Sequence, residues 1–523
     1  MFNSAADILS YDTKQCQALN APFDPILGIG SPPYERFIFA IKELPTRYYP
    51  IAMKDIPLIK QLMRAKSIAE FLRKKKLPAT STNIQTIITT LIKLRIQHDF
   101  PFWAACFVSI KTKEGGTTKF YLNYPQRLLV EQLENMRLAN QPIRMIILKA
   151  RQWGGSTCTQ MYMAWIQLVH REGLYSAIVA HLNSASRKIR KKKKKMLAEY
   201  PPELLNLSDV APLSLSPFEG SNTDSIISQG GKIARDTVLS IGSMQSPDSL
   251  RAGDIALVHY SEVGIWKETD GKSPEEVIQA ISSSVLNIPL TMLVMESTAK
   301  GEGNMFYNEW QDAKKGLSGY YPMFIAWFAI EKYRKAFNSE QEREALAQWL
   351  WDNRNQVTAP NERSESGAYL FSLLSRGATL EAINWYIAAR RSYRDHDRIA
   401  SEFPSDDVEA FASSGNRVFN KTSIERLRND CQPPIFIGDI SGRMPTGAES
   451  LLDIRITPDS GGDLRIWEMP DTSFPHQHRY ILACDVGGTS AKADYTDIIV
   501  LDRWWRSAGE GDVVVAEGHG HCP

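Results

Sequence analysis

The 523-residue sequence has little net charge and few cysteines, and it lacks long hydrophobic runs. Lysine and arginine total 61 against 59 aspartates and glutamates, which gives a net charge of +2. A protein that coats nucleic acid through a bulk positive field is therefore excluded, and a nucleic-acid partner must bind a local basic patch. The six cysteines show no C-x-x-C spacing, so we expect neither disulfides nor a zinc site.

Strongly apolar stretches are short in this sequence. The longest, such as residues 163–169, fall far below the ~18 residues that a bilayer span needs, so we expect no membrane partner. The first residues contain no basic region followed by an apolar one, so we expect no secretory signal. The hydrophobic fraction of 43% and the charged fraction of 23% predict a globular chain. Its length corresponds to about three domains.

Apolar segments alternate with segments of helical period between residues 121 and 335. Strands are predicted at residues 143–148, 176–180, 255–258, 291–295 and 323–327. Helices are predicted after the first two of them, at residues 156–170 and 184–199. This alternation predicts an α/β fold with a parallel sheet.

The segment from Lys149 to Thr157, Lys-Ala-Arg-Gln-Trp-Gly-Gly-Ser-Thr, joins the first of these strands to its helix. A helix that begins after a glycine-containing turn binds polyphosphate, because its backbone N–H groups and its dipole both point at the anion. A standard P-loop carries a lysine before its hydroxyl residue, where this sequence has Gly155. Lys149 and Arg151 could instead reach back over the phosphates, and Ser156 keeps the hydroxyl for Mg²⁺. A tight strand-to-helix turn without a ligand is the alternative.

Two later strands end in polar residues. The first leads into Glu262 in a Walker B layout, in which Glu262 would polarise the attacking water. An aspartate usually precedes that glutamate and holds the Mg²⁺ shell, but Ser261 stands here and would be a weaker ligand. The second strand ends in Ser297 and Thr298, which can bond the γ-phosphate or the water, because the carboxyl ends of parallel strands line the ligand crevice. Each strand end could also be structural only.

Together these motifs resemble the large terminase subunit of tailed bacteriophages, the motor that packages DNA into a procapsid and cuts it. The resemblance covers about residues 115 to 517. Five segments carry it: Lys149-Ala-Arg-Gln-Trp-Gly-Gly-Ser-Thr157, His259-Tyr-Ser-Glu262, Glu296-Ser-Thr-Ala299, Glu402-Phe-Pro404 with Glu409-Ala-Phe411 and Ser414-Gly415, and Ala483-Cys-Asp485-Val-Gly487. Each segment is a weak signal alone, but their order and spacing together are specific.

The resemblance implies ATP and Mg²⁺ as cofactors and assigns roles to several residues. It makes Lys149 the substitute for the missing P-loop lysine, Arg151 a candidate arginine finger and Glu262 the catalytic carboxylate. Ser297 and Thr298 would couple hydrolysis to DNA movement. The remaining predicted contacts to ATP are Gln152, Gly154, Gly155, Ser156 and Thr157.

Upstream of these motifs, Gln126 lies in a Tyr-Pro-Gln-Arg segment. The family carries an adenine-reading glutamine at this position, because an amide can both donate to and accept from the base edge. An ordinary surface glutamine is the alternative.

The last part of the sequence predicts a meander of three strands at residues 480–486, 497–501 and 512–517. The first strand carries Asp485 and resembles the start of an RNase H-like nuclease, in which Asp485 would be the first metal-binding acid. Two-metal cleavage needs several converging carboxylates, and only 38 residues follow Asp485 in this sequence. We therefore expect an incomplete nuclease domain without endonuclease activity. No cysteine or further histidine stands at ligand spacing near the four C-terminal histidines, so these are interpreted as loop residues: His476, His478, His519 and His521.

A dense basic run occupies residues 187–195, with eight cations in nine residues. Like charges repel one another, so a nearby anion would stabilise the run. DNA phosphates bind such cations, and these contacts do not depend on the base sequence. The candidate DNA contacts are Arg187, Lys188, Arg190 and Lys191. A solvated helix face is the alternative.

The sequence as a whole predicts an ATP-driven translocase of double-stranded DNA in the host cell cytoplasm. The resemblance implies a small terminase subunit, a portal protein and a ring of further copies as partners. The predicted organisation is a helical N-terminal region (1–114), a P-loop NTPase domain with a parallel sheet (115–335), a linker or subdomain with hairpins (336–475) and an incomplete RNase H-like domain (476–523). The alternatives are a helicase-like P-loop ATPase and a non-enzymatic relic that binds DNA or capsid, the latter motivated by Gly155 and Ser261.

Overall fold

The computed structural model describes most of the chain in two compact units, Met1–Gly415 and Asn416–Pro523. The described residues are 2–111, 115–197, 200–201, 214–217, 223–227, 233–245, 250, 254–268, 272–412, 431–444, 448–471, 478–487, 496–504 and 512–520. Within these ranges, no helix is both long and apolar enough to cross a bilayer.

The first unit begins with a mainly helical region. Its elements are α1 (Ala5–Leu19), β1 (Arg36–Ile41), β2 (Leu44–Pro50), α2 (Pro57–Ala65), α3 (Ile68–Lys74), α4 (Ser81–His98), α5 (Phe100–Phe107), β3 (Ser109–Lys111) and β4 (Thr117–Lys119). The antiparallel hairpin of β1 and β2 was not predicted. It is tied to the helices by Asp99, which is fully buried and accepts hydrogen bonds from the guanidinium groups of Arg36 (2.9 Å) and Arg95 (3.0 Å).

An eight-stranded sheet forms the centre of the first unit. Its elements and their helices are α6 (Tyr124–Leu138), β5 (Ile143–Lys149), α7 (Gly155–Trp165), β6 (Tyr175–Ala180), α8 (Asn183–Leu197), β7 (Ser214–Pro217), β8 (Thr223–Ile227), β9 (Ile233–Ser243), β10 (Ile255–Ser261), α9 (Pro274–Ser282), β11 (Met292–Ser297), α10 (Met305–Lys314) and β12 (Tyr321–Ile325). The strand order is β12-β5-β11-β10-β6-β9-β8-β7. The first six strands are parallel, and β8 and β7 extend the sheet in antiparallel fashion. The predicted parallel α/β sheet is confirmed.

The sheet is buried on both faces, which explains why its strands are almost continuously apolar. In β5, Ile143, Met145 and Ile147 pack into one buried cluster. Their neighbours Ile146 and Leu148 pack into a second cluster, because successive side chains of a strand point to opposite faces. A strand covered in this way is rigid, so the polar residues at the carboxyl ends of β5, β10 and β11 are held at fixed positions along one edge.

Five further helices complete the first unit: α11 (Glu340–Asp352), α12 (Gly367–Ser375), α13 (Leu380–Arg390), α14 (His396–Ala400) and α15 (Asp407–Ala412). His396 of α14 lies between two buried carboxylates, Glu409 of α15 and Glu365, which precedes α12. Its Nδ1 is 3.1 Å from Glu365 and its Nε2 is 3.1 Å from Glu409. Burial alone would lower the pKa of His396, but the hydrogen bonds to these carboxylates raise it to about 10. His396 is therefore an imidazolium at neutral pH.

The second unit contains a six-stranded antiparallel sheet among its described residues. Its strands are β13 (Phe436–Ser441), β14 (Arg455–Pro458), β15 (Leu464–Ile466), β16 (Tyr480–Asp485), β17 (Thr496–Asp502) and β18 (Val513–Gly520). The strand order is β14-β13-β15-β18-β17-β16, so the predicted meander forms one half of the sheet. The boundary predicted at residue 475 falls inside this sheet, because Leu464 of β15 pairs with Gly518 of β18. The RNase H-like character of this unit stays a prediction.

Candidate functional site

The turn between β5 and α7 is shaped by two glycines and a tryptophan. Gly154 has a φ of 83°, and a Cβ atom at this residue would lie 2.5 Å from Nε2 of Gln126. A Cβ atom at Gly155 would lie 2.0 Å from the ring of Trp153, which is buried beside the turn. A lysine cannot occupy residue 155 unless that ring moves. The ring of Trp153 therefore occupies the space that the lysine of a standard P-loop would need.

The N-terminus of α7 differs from that of the preceding helix. α6 is capped by Asn123, whose Oδ1 accepts from the backbone N–H of Gln126 at 3.0 Å. Within the described part of the chain, no side chain caps α7. The first N–H groups of a helix have no partner inside the helix, and they bind anions when no cap competes. The turn thus offers a phosphate-sized anion a set of backbone donors.

Lys149 ends β5 and lies against the predicted catalytic carboxylate. Its Nζ is 2.6 Å from Oε1 of Glu262, and the lysine is 6% exposed. Burial alone would lower the pKa of Lys149, but the charges of Glu296 and Glu262 hold it above its ordinary value. The sequence motifs assigned Lys149 and Glu262 to one nucleotide site, and the structure brings them together as a charged pair beside the turn.

Glu296 belongs to this site, although the sequence indicates it only as part of a motif shared with the terminases. It lies on β11, between β5 and β10, and pairs in register with Ser261. Its Oε1 accepts hydrogen bonds from Ser156 Oγ and from His259 Nε2, the latter at 3.0 Å. Nδ1 of His259 is 3.0 Å from the side-chain amide of Gln160. A carboxylate inside an otherwise apolar strand was the signal that could have identified it.

The charge of Glu296 is stabilised by its neighbours although the residue is fully buried. Burial alone would raise the pKa of Glu296, but Lys149, His259 and Ser156 together lower it to about 2. Its Oε2 has no hydrogen-bond partner among the described residues. A buried carboxylate oxygen without a partner is costly, so this atom suits a ligand that binds oxygen, such as Mg²⁺. Ser156 and Glu296 therefore fit a magnesium site beside the turn.

Glu262 and Gln152 both have left-handed backbone conformations, with φ values of 56° and 64°. Such strain in residues other than glycine costs about 1–3 kcal/mol and clusters at functional sites. Oε2 of Glu262 accepts from N (3.3 Å) and Oγ1 (3.4 Å) of Thr298. Oγ of Ser297 accepts from the N–H of Gly264 at 2.9 Å and donates to the carbonyl of Thr298 at 2.6 Å. The predicted coupling pair thus contacts the predicted catalytic carboxylate and the turn that follows it.

Arg151 forms an ion pair with Glu402. Its Nε is 2.6 Å from Oε2 of Glu402, and its side chain is 58% exposed. Its carbonyl accepts from the hydroxyl of Tyr333 at 3.0 Å. The neighbouring Gln152 accepts from Nζ of Lys332 at its carbonyl (3.1 Å) and its Oε1 (2.9 Å). The role of Arg151 as an arginine finger stays a prediction, and the sequence did not identify Glu402 as its partner.

Gln126 is 4% exposed, so the alternative of a surface glutamine is wrong. Its Oε1 accepts from the backbone N–H of Asn123 at 3.0 Å, and its Nε2 donates to the carbonyl of Gly154 at 3.1 Å. Asn123 in turn donates from Nδ2 to the carbonyl of Trp153 at 2.9 Å. In this structure the amide holds the turn between β5 and α7, and adenine reading by Gln126 stays a prediction.

In the second unit, acidic residues and a histidine lie side by side on the last three strands. Asp497 of β17 pairs in register with Asp485 of β16 and with His519 of β18. Ligand atoms of Asp497, Glu517 and His519 lie within 4.8 Å of one another. The interpretation of His519 as a loop residue is wrong, because it belongs to β18 and bonds Asp497. The predicted residues Ser414, Gly415, His476 and His521 lie outside the described ranges.

The basic run forms most of α8, and its cations are not all on the surface. The exposed candidates for DNA contact are Arg187, Lys188 and Lys191, whereas Arg190 is half-buried. Lys193 is buried and donates from Nζ to Oε1 of Gln167 at 3.0 Å. The helix therefore has an inner and an outer face. DNA binding by the outer face stays a prediction.

Comparison with protein-family models and with curated proteins finds no match to this chain. Comparison with solved structures finds large terminases of bacteriophages. The ATPase domain of the Thermus phage P74-26 large terminase is 16% identical over 42% of this chain and 84% of its own, with a TM-score of 0.26. The HK97 large terminase is 12% identical over 80% of this chain and 66% of its own, with a TM-score of 0.34. The large terminase of a thermophilic bacteriophage in complex with ATP-γ-S is 8% identical over 71% of this chain and 63% of its own, with a TM-score of 0.27.

These structures come from the family that the sequence motifs also resemble. This chain spans less than two thirds of the length of the HK97 structure and of the ATP-γ-S complex. All three TM-scores are low, so the function proposed below depends on contacts inside this chain.

Proposed function

We propose that this protein is an ATPase that uses hydrolysis to move double-stranded DNA, as the motor subunit of viral genome packaging. One observation carries the proposal: Nζ of Lys149 lies 2.6 Å from Glu262, at the strand end that leads into the uncapped N-terminus of α7. A cation, an anion-binding helix end and a carboxylate are what nucleotide hydrolysis requires.

The turn accounts for triphosphate binding without the usual lysine. The backbone N–H groups at the start of α7 bind the phosphates, and Lys149 supplies the positive charge from the end of β5. Ser156 and Glu296 hold the Mg²⁺, which neutralises phosphate charge when it is bound. Gln126 keeps the turn in place through Gly154.

Nucleotide binding would release the catalytic carboxylate from its ion pair. Phosphate oxygens compete for Lys149, so Glu262 becomes free to accept a proton from the attacking water. Thr298 contacts the same carboxylate, so its backbone responds to the change. Arg151 exchanges Glu402 for phosphate when it acts as the arginine finger. Through these two exchanges of ion-pair partners, by Lys149 and by Arg151, the nucleotide state is coupled to the carboxyl end of β10 and to the turn that follows Glu262.

DNA and protein partners follow from the same proposal. The exposed cations of α8 contact the DNA backbone, which requires no sequence readout. A small terminase subunit, a portal protein and further copies of this chain in a ring are the proposed protein partners, in the host cell cytoplasm.

The test measures ATP turnover by the purified full chain at millimolar Mg²⁺, with and without double-stranded DNA. We expect DNA-stimulated turnover that Glu262→Gln abolishes. Glu275→Gln is the matched control, because Glu275 is an exposed residue in the first turn of α9. Absence of turnover in the wild type, or equal turnover in Glu262→Gln, would overturn the ATPase and favour the non-enzymatic relic. ATP-dependent strand separation would favour a helicase over a double-strand translocase.

A further inference from the structure

Ser261 and Glu296 are register partners on two neighbouring parallel strands. We propose that Glu296 supplies the carboxylate of the Mg²⁺ shell that Ser261 lacks, so that this acid has moved from β10 to β11. The inference rests on the proposed ATPase function and identifies the residue that binds the metal for it.

The sheet order places Glu296 nearer to the phosphate turn than a residue at position 261 would be. β11 lies directly beside β5, whereas β10 is one strand further away. Neighbouring strands are about 4.8 Å apart. The carboxylate has therefore moved by one strand toward the turn, and its contact with the hydroxyl of Ser156 shows that it reaches the first turn of α7.

The two oxygens of Glu296 have different environments. Oε1 is fixed by the hydrogen bonds from Ser156 and His259, which set the orientation of the carboxylate. Oε2 is buried and has no hydrogen-bond partner among the described residues. A buried oxygen of this kind costs free energy in the absence of a ligand, and a divalent cation with its water shell would satisfy it.

Lys149 does not supply a hydrogen bond to Oε2 of Glu296, although its positive charge balances the charge of that carboxylate. Its ammonium group donates its hydrogen bond to Glu262. A purely structural ion pair would direct that hydrogen bond at the fully buried carboxylate and would leave no oxygen without a partner. The arrangement instead leaves one carboxylate oxygen next to Ser156, the residue whose hydroxyl serves Mg²⁺ in P-loops.

The experiment compares the affinity of the full chain for ATP-γ-S with Mg²⁺ and with EDTA, in wild type and in Glu296→Gln. We expect wild type to bind more tightly with Mg²⁺, and the variant to lose about 10- to 100-fold of Mn²⁺ affinity, measured by electron paramagnetic resonance in the presence of ATP-γ-S. The affinity of Glu296→Gln for ATP-γ-S in EDTA should not fall below that of wild type, because no carboxylate contacts the phosphates directly. Ser261→Asp in the Glu296→Gln background should restore part of the metal affinity, and Glu275→Gln should match wild type.

The outcomes separate this inference from the proposed function. A wild type that binds no ATP-γ-S overturns the ATPase itself. A wild type that binds metal and nucleotide, with equal Mn²⁺ affinity in a folded Glu296→Gln variant, overturns only the role of Glu296. A second measurement on the wild-type chain replaces Mg²⁺ by Fe²⁺ and maps oxidative backbone cleavage. Cuts next to residues 156 and 296 would support the inference, and cuts confined to residues 261–262 would contradict it, even if the variant fails to fold.

Discussion

Replacing Lys149 by methionine removes the cation that both carboxylates of the site share. Methionine keeps most of the length of the side chain but removes the ammonium group, and with it the charge and the hydrogen bond to Glu262. The environment of Glu296 lowers its pKa from the ordinary 4.5 to about 2, and each unit corresponds to about 1.4 kcal/mol. The protein therefore gains about 3 kcal/mol at neutral pH from this carboxylate, which agrees with the cost of about 3–5 kcal/mol for breaking a buried ion pair.

The loss of stability in Lys149→Met should depend on pH, and the pKa of Glu296 sets the direction of that dependence. In wild type its lowered pKa contributes stability at pH values above 4.5, and this contribution disappears only as the pH falls toward 2. Without Lys149, we expect burial, the largest single effect on this carboxyl, to raise the pKa of Glu296. The variant then loses stability, relative to wild type, as the pH rises from 5 to 8.

Urea unfolding of the full chain at pH 5, 6, 7 and 8, followed by tryptophan fluorescence, measures this difference. Nine of the twelve tryptophans lie in the unit Met1–Gly415, so the signal reports mainly on the unit that contains the site. Adding Glu296→Gln to Lys149→Met should recover part of the loss, because it removes the unpaired charge. A loss below about 0.5 kcal/mol at pH 7, the range of an ordinary surface substitution, would refute the reasoning, as would a difference that is independent of pH.

Three further predictions concern other parts of the first unit. Gly155→Lys, which restores the standard P-loop residue, should lower stability by about 1–3 kcal/mol, because its Cβ would meet the ring of Trp153; an unchanged thermal midpoint would contradict this. Lys188→Glu combined with Lys191→Glu should reduce the slope of log affinity for DNA against log salt by about 2, measured by fluorescence anisotropy, and an unchanged slope would remove α8 from the DNA contact. The raised pKa of His396 contributes stability at pH values below about 6.5 that is lost as the pH rises through about 10, so His396→Gln should flatten the decline of the unfolding midpoint between pH 7 and 10. Equal slopes in both proteins would exclude this role of His396.

Much of the first unit could be predicted because a buried parallel sheet leaves a strong pattern. The apolar run before Lys149 predicted β5, and the polar residues that end β10 and β11 were correctly placed along one edge of the sheet. Strand order cannot be read from such runs, because each strand is apolar on both faces and carries no information about its neighbours. The register between Ser261 and Glu296 therefore became visible only in the structure.

Other features depend on contacts between residues that are distant in sequence. The steric exclusion of a side chain at Gly155 involves Trp153, two residues away, yet it requires the ring position to be known. The pair of Arg151 and Glu402 joins residues about 250 positions apart, and nothing in either segment specifies the other. The segment before residue 475 was interpreted as a linker or subdomain with hairpins because glycine, proline and serine are frequent in it. In the structure, β13 pairs with β14 and with β15, and β15 pairs in turn with β18.

The buried position of Lys193 sets the rotation of α8 about its own axis. A helix places residues three and four positions apart on one face, so fixing Lys193 in the interior turns Lys188, Lys191 and Lys195 outward as one ridge. Burial also lowers the pKa of Lys193 to about 7. The density of lysines in the sequence therefore overstates the charge that α8 presents. One cation of the run is withdrawn from the surface, and an anion approaching this helix would meet the exposed ones: Arg187, Lys188, Lys191, Lys192, Lys194 and Lys195.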